Sequence, residues 1–333
     1  MTRERRDFLR LMLAGSAALL PGGARAAPAT SSPESGAPGP ARESTVGVVR
    51  TAAYRTHREA VREAVRLAGG LAFVKPGQRV LLKPALNSER RYPSTTDPET
   101  VLILAELVRE AGGVPFVADR TMFARSTEAA MRRTGLLDAA AQARMECLAL
   151  DDSPAVTLAH PGAEHWGSGQ VRVYRPVAEA HHLISLCTPR THKLGGFTMS
   201  LKNLVGVVHG PSRIAMHFPA GFHERLAEIA LVVPVALAVM DGREGFGDGG
   251  PDSGSLVRPG FAAASRDPVA LDALGLAFLR IAGANHEISR GPVWRLPQLA
   301  RAVELGLGAA SAGQIRLPGL AAADEAAVRA QLA

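Results

Sequence analysis

The chain has 333 residues, 47% hydrophobic and 21% charged, an ordinary globular composition with material for one large domain or two smaller ones. Aromatics make up only 5% and no Lys/Arg run forms a stripe, which argues against a nucleic-acid surface. The formal charge is +7, of which +3 falls in residues 1–26, so the rest carries a mild excess that suits one anion site.

Residues 1–26 read as an export signal. Arg5 and Arg6 precede an apolar run, Leu11–Leu20, and a small-residue cleavage site, Ala24-Arg25-Ala26. The run is too short to cross a bilayer, so no stable span is expected after cleavage. The paired arginines followed by Asp7, Phe8 and Leu9 resemble a twin-arginine signal, which implies passage of a folded chain through the twin-arginine translocase to the periplasm or otherwise out of the cytoplasm. Residues 27–44, rich in Pro, Ala and Ser, read as a disordered linker. The folded domain is expected over 45–333, with helices closing it over 293–333.

Within that domain, strands are predicted at 45–51, 78–86, 114–120, 145–152, 181–187 and 233–242, and helices at 57–71, 97–113, 126–143 and 265–283. Residues 153–180 read as weaker strands and loops. This alternation predicts an α/β fold with a mostly parallel sheet flanked by helices, with room for two lobes around a cleft. Cys147 and Cys187 are too few to ligate an iron–sulfur cluster or a tetrathiolate zinc site. Both lie in apolar strand-like runs and read as buried small hydrophobes, with one disulfide as the alternative.

Sites in open α/β sheets form at the carboxyl ends of strands. Lys83, Asp119, residues 188–193 and residues 241–250 all fall at such ends. Lys83 and Asn87 suit a phosphate or carboxylate. Asp97-Pro98 and Asp267-Pro268 read as helix starts, with the carboxylate as cap and proline in the first turn. Asp272, deeper in the second helix, reads as a surface or supporting group. The richest stretch is 190–210. Residues 200–208 read as a helix with Lys202 adding to its positive amino end, and Gly206 one turn on allows a close approach by ligand or backbone. His192, Lys202, His209 and Asp119 are the candidate catalytic groups. Lys83, Asn87, Arg190, Lys193, Asn203, Gly249 and Gly250 are the candidate anion-binding groups. The spacings from His192 to His209, His217 and His223 are 17, 8 and 6 residues in turn, unlike any compact metal signature. Should a metal bind, His217 and Asp241 are the candidate ligands. The Gly-rich run 247–254 is neither a Walker A loop nor G-x-G-x-x-G, and reads as an anion nest or a tight connection. No G-x-S-x-G elbow is present.

Six motifs in order, "LLKPALN", "STTDPETV", "VADR", "PRTHKLGGFTMSLKNLVGVVHG" with the later His217, "VMDGREGFGDGGPDSG" and "ASRDPVALDAL", resemble the domain of unknown function 362 family from about Val80 to Leu274. That family has no settled general activity. Many of its members carry a ferredoxin-type cysteine-rich segment, which this chain lacks, so the resemblance implies no iron–sulfur cluster here. The family is similar in architecture to the amino-terminal part of lactate racemase, a nickel-cofactor enzyme, but no motif of that enzyme aligns clearly and no residue is carried over. The family's usual Lys-Thr-His is Arg190-Thr191-His192 here, which keeps the charge and removes a lysine-specific role such as a Schiff base. The expected function is an exported enzyme of redox or isomerase type that binds a small anionic ligand, with the cofactor open and a metal admitted. The alternative is a non-catalytic periplasmic protein that binds a ligand or metal or serves in maturation of a partner. Nothing in the sequence sets an oligomeric state.

Overall fold

The computed structural model describes residues 43–333 and a two-residue strand, β1 (Arg25–Ala26). All of the export signal but Arg25–Ala26, and nearly all of the linker, lie outside these residues. Strand β2 (Ser44–Arg50) leads to helix α1 (His57–Leu67), then β3 (Arg79–Lys83), α2 (Pro98–Glu110) and β4 (Val114–Asp119). Helices α3 (Thr127–Thr134) and α4 (Leu136–Gln142) follow, then β5 (Glu146–Ala149), the hairpin β6 (Ala155–Ala159) and β7 (Gln170–Tyr174), and α5 (Arg175–Ala178). Strand β8 (His182–Cys187) enters a second hairpin, β9 (Arg190–His192) and β10 (Gly196–Thr198), and then α6 (Ser200–Asn203), which tightens into a 3-10 turn over Leu204–Val207. The chain continues with α7 (Gly210–Met216), α8 (Phe222–Val232), β11 (Leu237–Gly242), β12 (Gly245–Asp248), β13 (Ser255–Val257) and β14 (Phe261–Ser265). It closes with α9 (Pro268–Ile281), α10 (His286–Ser289), α11 (Pro297–Glu304), β15 (Ile315–Arg316) and α12 (Ala322–Leu332).

Eight strands form one sheet in the order β15-β2-β14-β11-β8-β3-β4-β5. All neighbours are parallel except at β14, which runs antiparallel to β2 and β11. Side chains alternate between the faces, as the period of a strand requires. Val80, Leu82, Val117 and Ile184 face a core shared with α1 to α4. Leu81, Phe116, Leu183 and Met240 face a second core shared with α6, α8, α9, α11 and α12. A sheet covered on both faces explains the near-continuous apolar strands. Strands β14 and β15 escape the sequence reading because "FAAAS" and "IR" are short and lack alternation. Cys147 and Cys187 are both free, and they lie on β5 and β8 with two strands between them, beyond disulfide reach. Among the described residues no helix is long and apolar enough to cross a membrane.

Both Asp-Pro helix starts form as local chemistry requires. Asp97 accepts from Glu99 N–H, and Asp267 accepts from Val269 and Ala270 N–H. The second carboxylate oxygen of Asp267 also accepts from Ser44 Oγ and from Ala309 N–H at 2.7 Å, tying α9 to β2 and to the carboxyl-terminal segment. Asp267→Ala removes the cap and leaves these donors unpaired. We expect a stability loss of roughly 2–4 kcal/mol by urea denaturation. A loss below about 1 kcal/mol, no more than a weak cap gives, would contradict the tie.

Candidate functional site

Strands β3 and β4 end side by side on Lys83 and Asp119, both buried. A buried ammonium or carboxylate is tolerated only when paired and hydrogen-bonded. Lys83 Nζ donates to Asp119 Oδ1 at 2.8 Å, to the Pro84 carbonyl at 2.8 Å and to Asn203 Oδ1 at 3.2 Å, which uses all three of its protons. Asp119 also accepts from the backbone N–H groups of Arg120 and Leu86. Asn203 Nδ2 reaches Ser185 Oγ and the carbonyls of Lys83 and Leu186. Burial pushes both charges toward their neutral forms, and each opposes that push on the other. Gly206 makes room for the pair, since a Cβ there would lie 2.0 Å from Asp119 Oδ1 and 2.9 Å from Lys83 Nζ. The close approach anticipated at Gly206 is filled by this ion pair. Lys83, Asp119 and Asn203 engage one another and the backbone.

Lys202 points elsewhere. It is 8% exposed and lies over Gly195, where an added Cβ would sit 3.1 Å from Lys202 Cε. Among the described residues its ammonium has neither a hydrogen-bond acceptor nor a carboxylate partner. Burial, reinforced by Arg213 and Arg190, pushes it down to about 7. The chain has only four lysines, at positions 75, 83, 193 and 202, and two of them are buried in this region.

Three histidines surround Lys202, all below the usual imidazole range. Burial lowers His192 strongly, with Lys202, Arg190 and His217 adding to the fall. Burial takes His217 down to about 4 against the pull of its bond to the Arg213 carbonyl. Burial also lowers His223, with Glu224 opposing and Lys202 adding. His192 Nδ1 accepts from the N–H groups of Leu194 and Gly195, both at 3.1 Å, so its proton sits on Nε2. His217 Nδ1 donates to the Arg213 carbonyl at 2.7 Å, so its Nε2 carries a lone pair. The two imidazoles therefore have opposite character: Nε2 of His192 is a donor and Nε2 of His217 an acceptor. Arg190 is buried and clamps the carbonyls of Ser94 and Pro251, while Arg213 clamps those of Arg120 and Thr121. Burial lowers each arginine to about 10, and the Nε of each is buried without an acceptor among the described residues.

The other candidates sit apart from this cluster. Asp241 accepts from Tyr92 Oη at 3.1 Å and from Arg243 at 2.7 Å, and Arg243 also reaches Asp97. Among the described residues no three His, Cys, Asp or Glu side chains converge as a metal site requires. With its proton on Nε2, His192 has no lone pair there for a metal. His209 packs edge-on against Tyr174, ring centroids 5.4 Å apart. Asn87 donates to the Ser94 carbonyl at 2.9 Å, and Lys193 is exposed. Gly249 and Gly250 lie in the connection between β12 and β13, where a Cβ on Gly250 would fall 1.8 Å from the Thr191 carbonyl oxygen. The Gly-rich run is packed onto β9 as a tight connection.

Two contributors lie outside the candidate catalytic and binding groups. Of the surface and supporting roles expected for Asp272, the structure shows the supporting one, with the side chain fully buried. Its Oδ1 accepts from Ser200 N–H at 2.8 Å and from Ser200 Oγ, and its Oδ2 accepts from Leu201 N–H at 3.1 Å. Burial pushes its carboxyl up to about 7 against these three donors. The amino end of α6, expected to attract an anion, is thus occupied by the protein itself. A signal existed, because α9 is apolar on every side and a lone carboxylate in such a helix must be buried. Gln298, fully buried on α11, donates from Nε2 to the carbonyls of Gly195 and Phe197, and so holds the hairpin that carries His192. Nothing in the sequence marks it. The ion pair generates a double-mutant test. Lys83→Met alone should cost about 3–5 kcal/mol, and Lys83→Met/Asp119→Leu less than the sum of its parts. Additive, small losses in urea denaturation would show that the pair is not coupled.

Residues 80–277 match the family described as "Domain of unknown function (DUF362)". The chain is 30% identical over 280 residues to a thylakoid-associated protein of Synechocystis sp., covering 80% of this chain and 81% of that one. Among solved structures it resembles the lactate racemase apoprotein from Thermoanaerobacterium thermosaccharolyticum, with a TM-score of 0.48 and 14% identity over 72% of this chain and 57% of the other. The matched span holds Lys83, Asp119, Arg190, His192, Lys202 and Asp272, and leaves Gln298 outside. With well over half its length matched in that way, the chain belongs to the DUF362 family.

Proposed function

We propose that the chain is an exported enzyme that binds a small anionic substrate or cofactor at Lys202. The observation that carries this reading is a lysine only 8% exposed whose ammonium, in contact with solvent, has no hydrogen bond or ion pair among the described residues and is acted on by Arg213 and Arg190 and by no carboxylate. Such a group costs stability unless an anion meets it. His192 adds a donor at Nε2 toward the same anion. His217 Nε2 has the character of a proton acceptor, so a proton leaving a bound substrate would pass to an imidazole while Lys202 and His192 hold the developing negative charge. This chemistry fits an isomerase-type reaction and needs no metal step. The twin-arginine-like segment supports export, and replacing Arg5 and Arg6 by lysine is expected to leave the chain in the cytoplasmic fraction. A non-catalytic carrier would need Lys202 but not the acceptor on His217. His217→Gln should therefore remove turnover and spare binding if the chain is an enzyme.

The pH dependence has a defined sign. Lys202 is charged below about 7, so anion affinity is greatest there and falls as pH rises through that value. Stability runs the other way. The folded pKa lies below the ordinary lysine value of 10.5, so the folded chain binds fewer protons than the unfolded chain between the two. The destabilisation is complete below 7 and is relieved as pH rises through the window, at about 1.4 kcal/mol per unit. Lys202→Met is expected to abolish binding of acetate and phosphate in calorimetry. In anion-poor buffer it should raise Tm, most at pH 6, with the gap closing toward alkaline pH. Unchanged affinity, or a lower Tm at pH 6, would contradict the assignment.

A further inference from the structure

We propose that the ligand is an amphiphile, with its anionic head at Lys202 and an apolar body lying on Leu194 and Phe218. This rests on the anion reading above and deepens it to a ligand class. Among the described residues few large apolar side chains are exposed, and two of them flank the histidines at Lys202. Leu194, 58% exposed, stands in the β9–β10 turn two residues after His192, and its own N–H donates to the His192 ring. Phe218, 50% exposed, directly follows His217. His217 itself stands between Phe123 and Phe222, with ring centroids at 5.5 and 5.4 Å. Half-buried Phe123 also carries the Arg213 guanidinium over its face at 5.0 Å.

Exposed apolar side chains therefore adjoin, along the chain, two of the imidazoles that act with Lys202. A site for a small hydrophilic anion has no use for that adjacency, because its ligand enters and leaves hydrated. An amphiphile needs it: the head is desolvated against Lys202 while the tail leaves water on Leu194 and Phe218. Lys193, exposed beside Leu194, adds a charge that draws anions toward this surface.

The test titrates the full chain with acetate, butyrate, hexanoate and octanoate, and with inorganic and octyl phosphate, by calorimetry. Affinity should rise by about twofold per added methylene, roughly half the effect of full burial, or about 60-fold from acetate to octanoate. Leu194→Ser/Phe218→Ser should flatten that series, and Lys202→Met should remove binding throughout. Either head group supports the proposal if its series climbs. Acetate or phosphate binding with no dependence on chain length overturns the amphiphile and leaves the anion site standing. No binding by any member overturns the anion reading and this proposal with it. Sedimentation with anionic phosphatidylglycerol vesicles that depends on Leu194 and Phe218, while octanoate and octyl phosphate do not bind, overturns it in favour of a membrane surface.

Discussion

Two opposite charges buried at the ends of adjacent parallel strands govern this region. Lys83 and Asp119 are held out of water, and each is tolerable only because the other is 2.8 Å away. Their remaining bonding capacity must be met locally, which is why Asn203 reaches across from α6 and why position 206 is glycine. The pair thus anchors residues 200–207 against the carboxyl edge of the sheet. Asp272 does the same from the opposite direction by capping Ser200 and Leu201.

With both ends of that segment fixed, the direction of Lys202 follows. Asn203 takes the inward position toward Lys83, and Lys202, its neighbour, is turned to the β9–β10 hairpin. Among the described residues no carboxylate acts on Lys202: Asp119 is engaged by Lys83 and Asp272 by α6. The ammonium is left among two arginines and three neutral imidazoles. Gln298 holds the hairpin in place, so an element beyond the family's matched span contributes to the geometry. The two histidine tautomers are likewise fixed by backbone groups, Leu194 and Gly195 for one and Arg213 for the other. The imidazoles thus differ in role although the residue type is the same.

Much of the scaffold was legible from the sequence. Apolar runs bounded by Gly and Pro located the strands, and Asp-Pro located two helix starts, because these depend on local chemistry. The stretch 190–210 was recognisable as a concentration of cations, and Lys202 within it sits at the cluster. Which side chains meet was not legible. Strand-end positions were expected to converge on one site, yet Asp241 turns to Arg243 and Tyr92; the candidate His209, from the 190–210 stretch, turns to Tyr174. Position along a strand follows from periodicity, while pairing depends on which neighbouring strand is adjacent and which donors that neighbour has left over. The 3-10 tightening after Asn203 also separates the surroundings of Lys202 and Gly206, which a regular helix would have placed on one face. Gln298 was invisible because an amide carries no periodic or charge signal.

Anion binding at this site requires that Lys202 titrate without a carboxylate partner. With only four lysines in the chain, heteronuclear NMR on lysine labelled at Cε can follow each one through a pH titration. The expected result is one midpoint near 7 that vanishes in Lys202→Met and moves upward when acetate or phosphate is added. A Lys202 midpoint close to the ordinary value of 10.5, unmoved by either anion, would contradict the account.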